Sequence, residues 1–161
     1  MKQLNNGILR EIGTLSRAVN SKSDLKFREY HLQKGQFIFL TRICENQGIN
    51  YIQLSNMLRV DKTTTTKAVQ KLISSGYIQK VQDESDSRAY KLYPTPKALD
   101  LYELVIEEEN SNIAFCFKGF TLEEITSAYE LVKRMSDNID AIWHQVKNDK
   151  ESYHDSASDD K

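Results

Sequence analysis

Apolar residues Leu4, Ile8, Ile12, Leu15 and Val19 recur at three- and four-residue steps, the stripe of an amphipathic helix over Leu4–Val19. Such a stripe serves equally as a core face or as an interface. A linking stretch, Ser21 to His31, follows. The segment from Leu32 predicts a second helix, buried through Phe37, Leu40, Ile43 and Cys44 and ended at Gly48. Asn50 and Gln53 have capping-box spacing ahead of a short helix, Tyr51 to Leu58, with Leu54 and Leu58 inward. After a tight turn at Arg59-Val60, Asp61 is placed to cap a further helix from Lys62 to Ser75, stopped by Gly76. Two short helices joined by about three residues make a helix-turn-helix.

The pattern then changes period. Residues 77–82 (YIQKVQ) and 89–93 (AYKLY) read as strands around the polar DESDSR, a β-hairpin of the kind that forms a wing. Thr95-Pro96 opens a long helix to about Phe117, with Pro at the first helical position. A second capping box, Thr121 with Glu124, starts a last helix to about Lys147 through Ile125, Leu131, Met135, Ile139 and Ile142. Residues 148–161 have almost no apolar content and are expected to be a disordered acidic tail. The fold class is therefore mainly α with a small β-hairpin wing.

On a helical wheel, Thr65, Ala68, Val69 and Leu72 share one side of the helix over 62–75, able to pack on the preceding helices. Lys62, Thr63, Thr64, Thr66, Lys67, Gln70 and Lys71 form the opposite face, with hydrogen-bond donors throughout and no carboxylate after the cap. Lys and Gln reach base edges in a major groove, and Thr meets phosphates or a thymine methyl. Four successive threonines are poor helix formers, so their presence favours a contact role over a merely tolerated polar turn. In the hairpin tip, Asp86 lies two residues before Arg88, a spacing that suits equally a carboxylate bracing a guanidinium for a narrow minor groove and a solvated turn with an isolated Arg.

Charge supports that assignment. The net charge is −1, yet residues 53–97 hold eight Lys/Arg against four acids, net +4, and residues 98–161 hold six against fifteen, net −9. Hydrophobic residues at 39% and charged residues at 28% suit one globular domain with helical extensions. No apolar run reaches a membrane span and the N-terminus lacks a signal-peptide core, which points to the cytoplasm.

The segments IQLSNMLRVDKTTTTKAVQKLISSGYI and DSRAYKLYPTPKAL, with Gln36-Phe37 before them and FTLEEI after, resemble the multiple antibiotic resistance regulator (MarR) family of winged helix-turn-helix proteins. The resemblance covers roughly residues 4 to 147. It departs at Ser87, where the family commonly has a second basic residue, and at Pro94 and Ala98, which replace its usual Leu and Gly. It implies a dimerisation helix and linker in 1–30, a DNA-binding domain in 31–95 and dimerisation helices in 96–147. It further implies a homodimer that binds a pseudo-palindromic operator in double-stranded DNA, usually as a repressor released by a small-molecule or oxidant effector. Tyr30, His31 and Phe37 fall near where the family's effector cleft would be.

Other chemistry finds no support in the residues. No phosphate loop, nucleophile elbow or carboxylate pair is present, so neither an enzyme nor a cofactor is expected. His31, His144 and His154 lack metal-ligand spacing, so no metal site is expected, although a metal sensor on this fold stays as an alternative. A protein-interaction module is the other alternative. Cys44 and Cys116 lie among apolar neighbours and read as packing rather than as oxidant sensors.

Overall fold

The computed structural model describes the chain apart from Met1, Gln33, Ser85, Ser87 and residues 159–161, and apart from the side chains of residues 150–158. It forms two compact units, Met1–Ile113 and Ala114–Lys161.

The first unit opens with helix α1, Ile8–Lys26, whose first N–H is accepted by Asn6 Oδ1 at 2.8 Å. A single 3-10 turn, Phe27–Tyr30, follows. The helix thus runs through most of the stretch expected to be a linker. The reason lies in polar rather than apolar contacts: Ser23 is buried, and Lys22 and Lys26 both reach the buried Glu108. The predicted stripe stays uncovered, with Leu4, Ile8 and Leu15 each about half exposed.

Helix α2 spans Gln36–Glu45, starting four residues later than the sequence pattern suggests. Lys34 (φ 57°) and Gly35 (φ 73°) are left-handed and cannot belong to a right-handed helix. Asp24 Oδ1 accepts the Gly35 N–H at 2.9 Å and holds that entry. Phe37, Leu40, Ile43 and Cys44 are buried as predicted, joined by Phe39.

Helices α3 (Tyr51–Leu58) and α4 (Lys62–Ser74) fall where their caps place them. Strands β2 (Ile78–Gln82) and β3 (Tyr90–Pro94) pair antiparallel with Lys80 opposite Leu92. A two-residue strand β1, Ile49–Asn50, adds to β3 and gives the sheet order β1-β3-β2. Two residues carry no period, so sequence alone could not reveal β1. Helix α5 covers Pro96–Cys116. The core of this unit joins Phe27, Leu32, Leu40, Ile43, Leu54, Val69, Leu72, Leu92 and Val105.

In the second unit, Thr121 and Glu124 form the predicted capping box, through Thr121 N–H to Glu124 Oε2 (2.8 Å) and Glu124 N–H to Thr121 Oγ1 (3.2 Å). Helix α6 runs Leu122–Ser158, so the expected disordered tail from 148 is helical as far as Ser158, and residues 159–161 lie outside the described residues. No described helix is long and apolar enough to cross a membrane.

Candidate nucleic-acid interface

The helix pair is built from local hydrogen bonds. Asn50 Oδ1 accepts the Gln53 N–H at 2.9 Å, and Gln53 Oε1 accepts the Asn50 N–H at 3.0 Å, closing the capping box of α3. Arg59 (φ 50°) reverses the chain, and the buried Ser55 hydroxyl donates to Val60 O at 2.7 Å. Asp61 then caps α4, with Oδ1 accepting the Thr64 N–H at 2.8 Å and Oδ2 the Thr64 hydroxyl at 2.7 Å. Those hydrogen bonds hold the Asp61 carboxyl below the usual aspartate range.

Helix α4 buries Thr65, Ala68, Val69 and Leu72, the four residues the wheel assigns inward. The opposite face divides in a way the wheel does not show. The Thr64 hydroxyl is spent on Asp61, and the Thr66 hydroxyl donates to Lys62 O at 2.8 Å. A hydroxyl has one proton to give, so the expected run of free donors is corrected at Thr64 and Thr66. The tendency of a helical Thr to bond the carbonyl four residues back was the signal available for Thr66. The side chains of Lys62, Thr63, Lys67, Gln70 and Lys71 are exposed and make no hydrogen bond or ion pair among the described residues. These five side chains are a cationic, hydroxyl- and amide-bearing face on a rigid helix.

The wing differs from expectation at its tip. Asp86 Oδ1 accepts the backbone N–H of Arg88 at 3.0 Å, and Asp86 O accepts the Ala89 N–H at 2.9 Å. The carboxylate therefore orders the turn and leaves the guanidinium unbraced, a correction to the proposed Asp86–Arg88 pair. Arg88 is exposed, with no ion-pair partner among the described residues, whereas Lys91 is neutralised by Asp83 at 3.2 Å. Lys80 lies 4.6 Å from the centre of the Tyr90 ring. Ser87, where a second basic residue was sought, is outside the described residues.

The MarR family sequence pattern matches residues 32–90, from four residues before α2 to the first residue of β3. YybA of Bacillus subtilis (strain 168), described as an uncharacterized HTH-type transcriptional regulator, is 40% identical over 88% of this chain and 95% of its own. A solved MarR protein from Peptoclostridium difficile is 59% identical, covers 91% of this chain and 96% of its own, and superposes with a TM-score of 0.87. The chain belongs to the MarR family. A MarR-family transcriptional regulator from Listeria monocytogenes, solved complexed with 26mer DNA, is 40% identical, with 92% of this chain and 96% of its own covered and a TM-score of 0.85. The fold is thus a winged helix, and the family is one of transcriptional regulators rather than enzymes.

Of the three residues assigned to an effector cleft, Tyr30 and Phe37 both lie against the Phe27 ring, and His31 does not join them in the core. Phe37 is taken up by the core, its ring 5.6 Å from that of Phe27. Tyr30 is half-buried, and its carbonyl accepts the Tyr77 hydroxyl at 2.9 Å. His31 is exposed. The cysteines also part company. Cys44 is buried, and desolvation followed by the Glu45 charge pushes its thiol up to about 11, which makes it unreactive. Cys116 is exposed at the end of α5, contrary to the packing role expected of it. Among the described residues, no group of three or more His, Cys, Asp or Glu is placed to hold a metal ion.

Proposed function

We propose that this MarR-family regulator is a cytoplasmic homodimeric repressor that binds a pseudo-palindromic operator in double-stranded DNA. The observation that carries the reading is the face of α4, where Lys62, Lys67 and Lys71 stand exposed beside Thr63 and Gln70 with no internal partner among the described residues. The lysines and Gln70 reach phosphates and base edges, Thr63 meets a phosphate or a thymine methyl, and Arg88 extends the contact from the wing. The Listeria relative complexed with 26mer DNA supports this use of the fold.

Dimerisation accounts for apolar surface that a lone chain leaves wet. Leu4, Ile8 and Leu15 are exposed on the first unit, and on α6 Leu131, Ile139, Ile142 and Val146 are exposed in near-heptad spacing. A two-fold partner would bury these stripes and set two α4 helices about 34–36 Å apart, one DNA turn. Release by a small-molecule or oxidant effector completes the reading as a shift between binding-competent and incompetent dimers. An interaction module would present an apolar or acidic α4 face, and this face is neither.

The test is a salt series of binding to duplex DNA from upstream of the protein's own gene, with stoichiometry measured alongside. Competitor-resistant binding of two protomers per site, weakening steeply with salt, is the expected result. Weak binding that any duplex competes away would reject a sequence-specific regulator of that site. Adding candidate effectors to the formed complex then reads release.

A further inference from the structure

We infer that Tyr77 is a positioning residue that sets the angle of the reading helix against the helical arms, and through it the half-site spacing the dimer accepts. The inference rests on the proposed function, because spacing has meaning only for a dimer on DNA.

Tyr77 touches three elements at once, each through a different group. Its backbone N–H donates to Leu72 O at 2.9 Å, and the Gly76 N–H donates to Ile73 O at 2.9 Å. Together these close the C-terminus of α4, with Gly76 left-handed at φ 76°. The Tyr77 carbonyl accepts the Thr95 N–H at 2.9 Å at the entry to α5, where the single Thr95 hydroxyl proton is shared between Gly76 O at 2.8 Å and Tyr77 O at 3.0 Å. Its hydroxyl donates to Tyr30 O at 2.9 Å, on the turn that ends α1 and 47 positions away in sequence. Lys97 locks the corner. Its ammonium donates to Ser75 O, the C-cap of α4, at 2.8 Å and sits 4.2 Å from the centre of the Tyr77 ring.

One buried residue therefore joins the end of α4 to the entry of α5 through its backbone and to the turn after α1 through its side-chain hydroxyl. The ring, 3% exposed, is needed by the core. The hydroxyl is different, since its one bond joins the α4 corner to the turn after α1 and serves no element of its own. A hydrogen bond between two packed elements costs little to keep and resists their sliding, because separation leaves a part-buried carbonyl without a donor. A stiff corner makes a dimer selective for one spacing. A looser one lets each lobe adjust, so that wrong spacings are penalised less.

Tyr77→Phe keeps the ring, its packing and the Lys97 contact, and removes only the hydroxyl. The wild-type protein is first used to select a site from a random duplex library. Affinities are then measured for that site and for versions with one base pair added to or removed from its centre. The expected result is that Tyr77→Phe narrows the ratio between correct and altered spacings by about fivefold while the salt slope stays as in wild type. Ile43→Val, a core change that removes none of the corner's hydrogen bonds, serves as the stability control and should leave the ratio alone. A Tyr77→Phe ratio equal to wild type, whatever its melting temperature, overturns the positioning role and leaves the proposed function standing. Failure of the wild type to select any site overturns both.

Discussion

Lys22 and Lys26 on α1 and Lys62, Lys67 and Lys71 on α4 carry the same charge in opposite circumstances. The α1 pair converges on Glu108, a carboxylate only 4% exposed, with Lys26 Nζ 2.7 Å from Oε2 and Lys22 Nζ also 2.8 Å from Asn112 Oδ1. Asn112 in turn donates to the Ser23 hydroxyl at 3.2 Å. The α4 lysines have no such partner among the described residues. Pairing spends the α1 charges on a shared, buried carboxylate that holds two helices together, although both ammonium groups stay half exposed. The α4 charges face water and add little to folding.

The contrast is broken most severely by Glu108→Ala. It removes the carboxylate the two lysines share, and the expected loss is about 2 kcal/mol, below the usual cost of opening a buried pair because both lysines are half in water. Chemical denaturation reads this, and an unchanged midpoint would show the cluster to be ornamental. Lys67→Ala and Lys71→Ala should do the reverse. Each is expected to weaken operator binding roughly tenfold and reduce the salt slope by about one, with stability altered by less than about 0.5 kcal/mol. Unchanged affinity in both variants would reject the assigned face.

Acid sharpens the comparison further. Burial on its own would raise the Glu108 carboxyl, but hydrogen bonds and charges from Lys22 and Lys26 outweigh it and hold the group below its ordinary 4.5. A depressed folded value contributes stability above the ordinary value, and that stability is lost as pH falls through the folded one. Stability measured from pH 6 downward should therefore fall less steeply in Glu108→Gln than in wild type below about pH 4.5. Parallel curves would remove Glu108 from the acid response.

Two smaller effects complete the series. Asp61→Ala deletes the α4 cap and should cost about 1 kcal/mol of stability, read in the melting temperature. Arg88→Ala should lower affinity only about threefold and leave melting unchanged, since Asp86 orders the wing turn through the backbone. A marked drop in melting temperature would restore a structural role to the guanidinium.

Much of the reading unit was legible from the chain alone. Asn50, Asp61 and Thr121 cap the helices that the spacing assigned to them. The buried side of α4 matches the wheel residue for residue. What escaped were features in which one residue's fate depended on a distant or left-handed neighbour. The second helix starts late because Lys34 and Gly35 turn left-handed, and α1 runs long because its second half is anchored by polar contacts that an apolar period does not register. Asp86 met the backbone rather than a guanidinium because, at a separation of two, the nearest donor in a turn is the N–H.

The sequence by itself determined the helix-turn-helix, its caps, the wing and the face of α4 turned to solvent. Each rests on interactions within a few residues, which the helical and strand periods encode directly. Only the tertiary structure decided which charges are spent and which remain available. Lys26 meets Glu108 across 82 positions and Tyr77 meets Tyr30 across 47. Such pairings depend on how the elements pack, which no local period specifies.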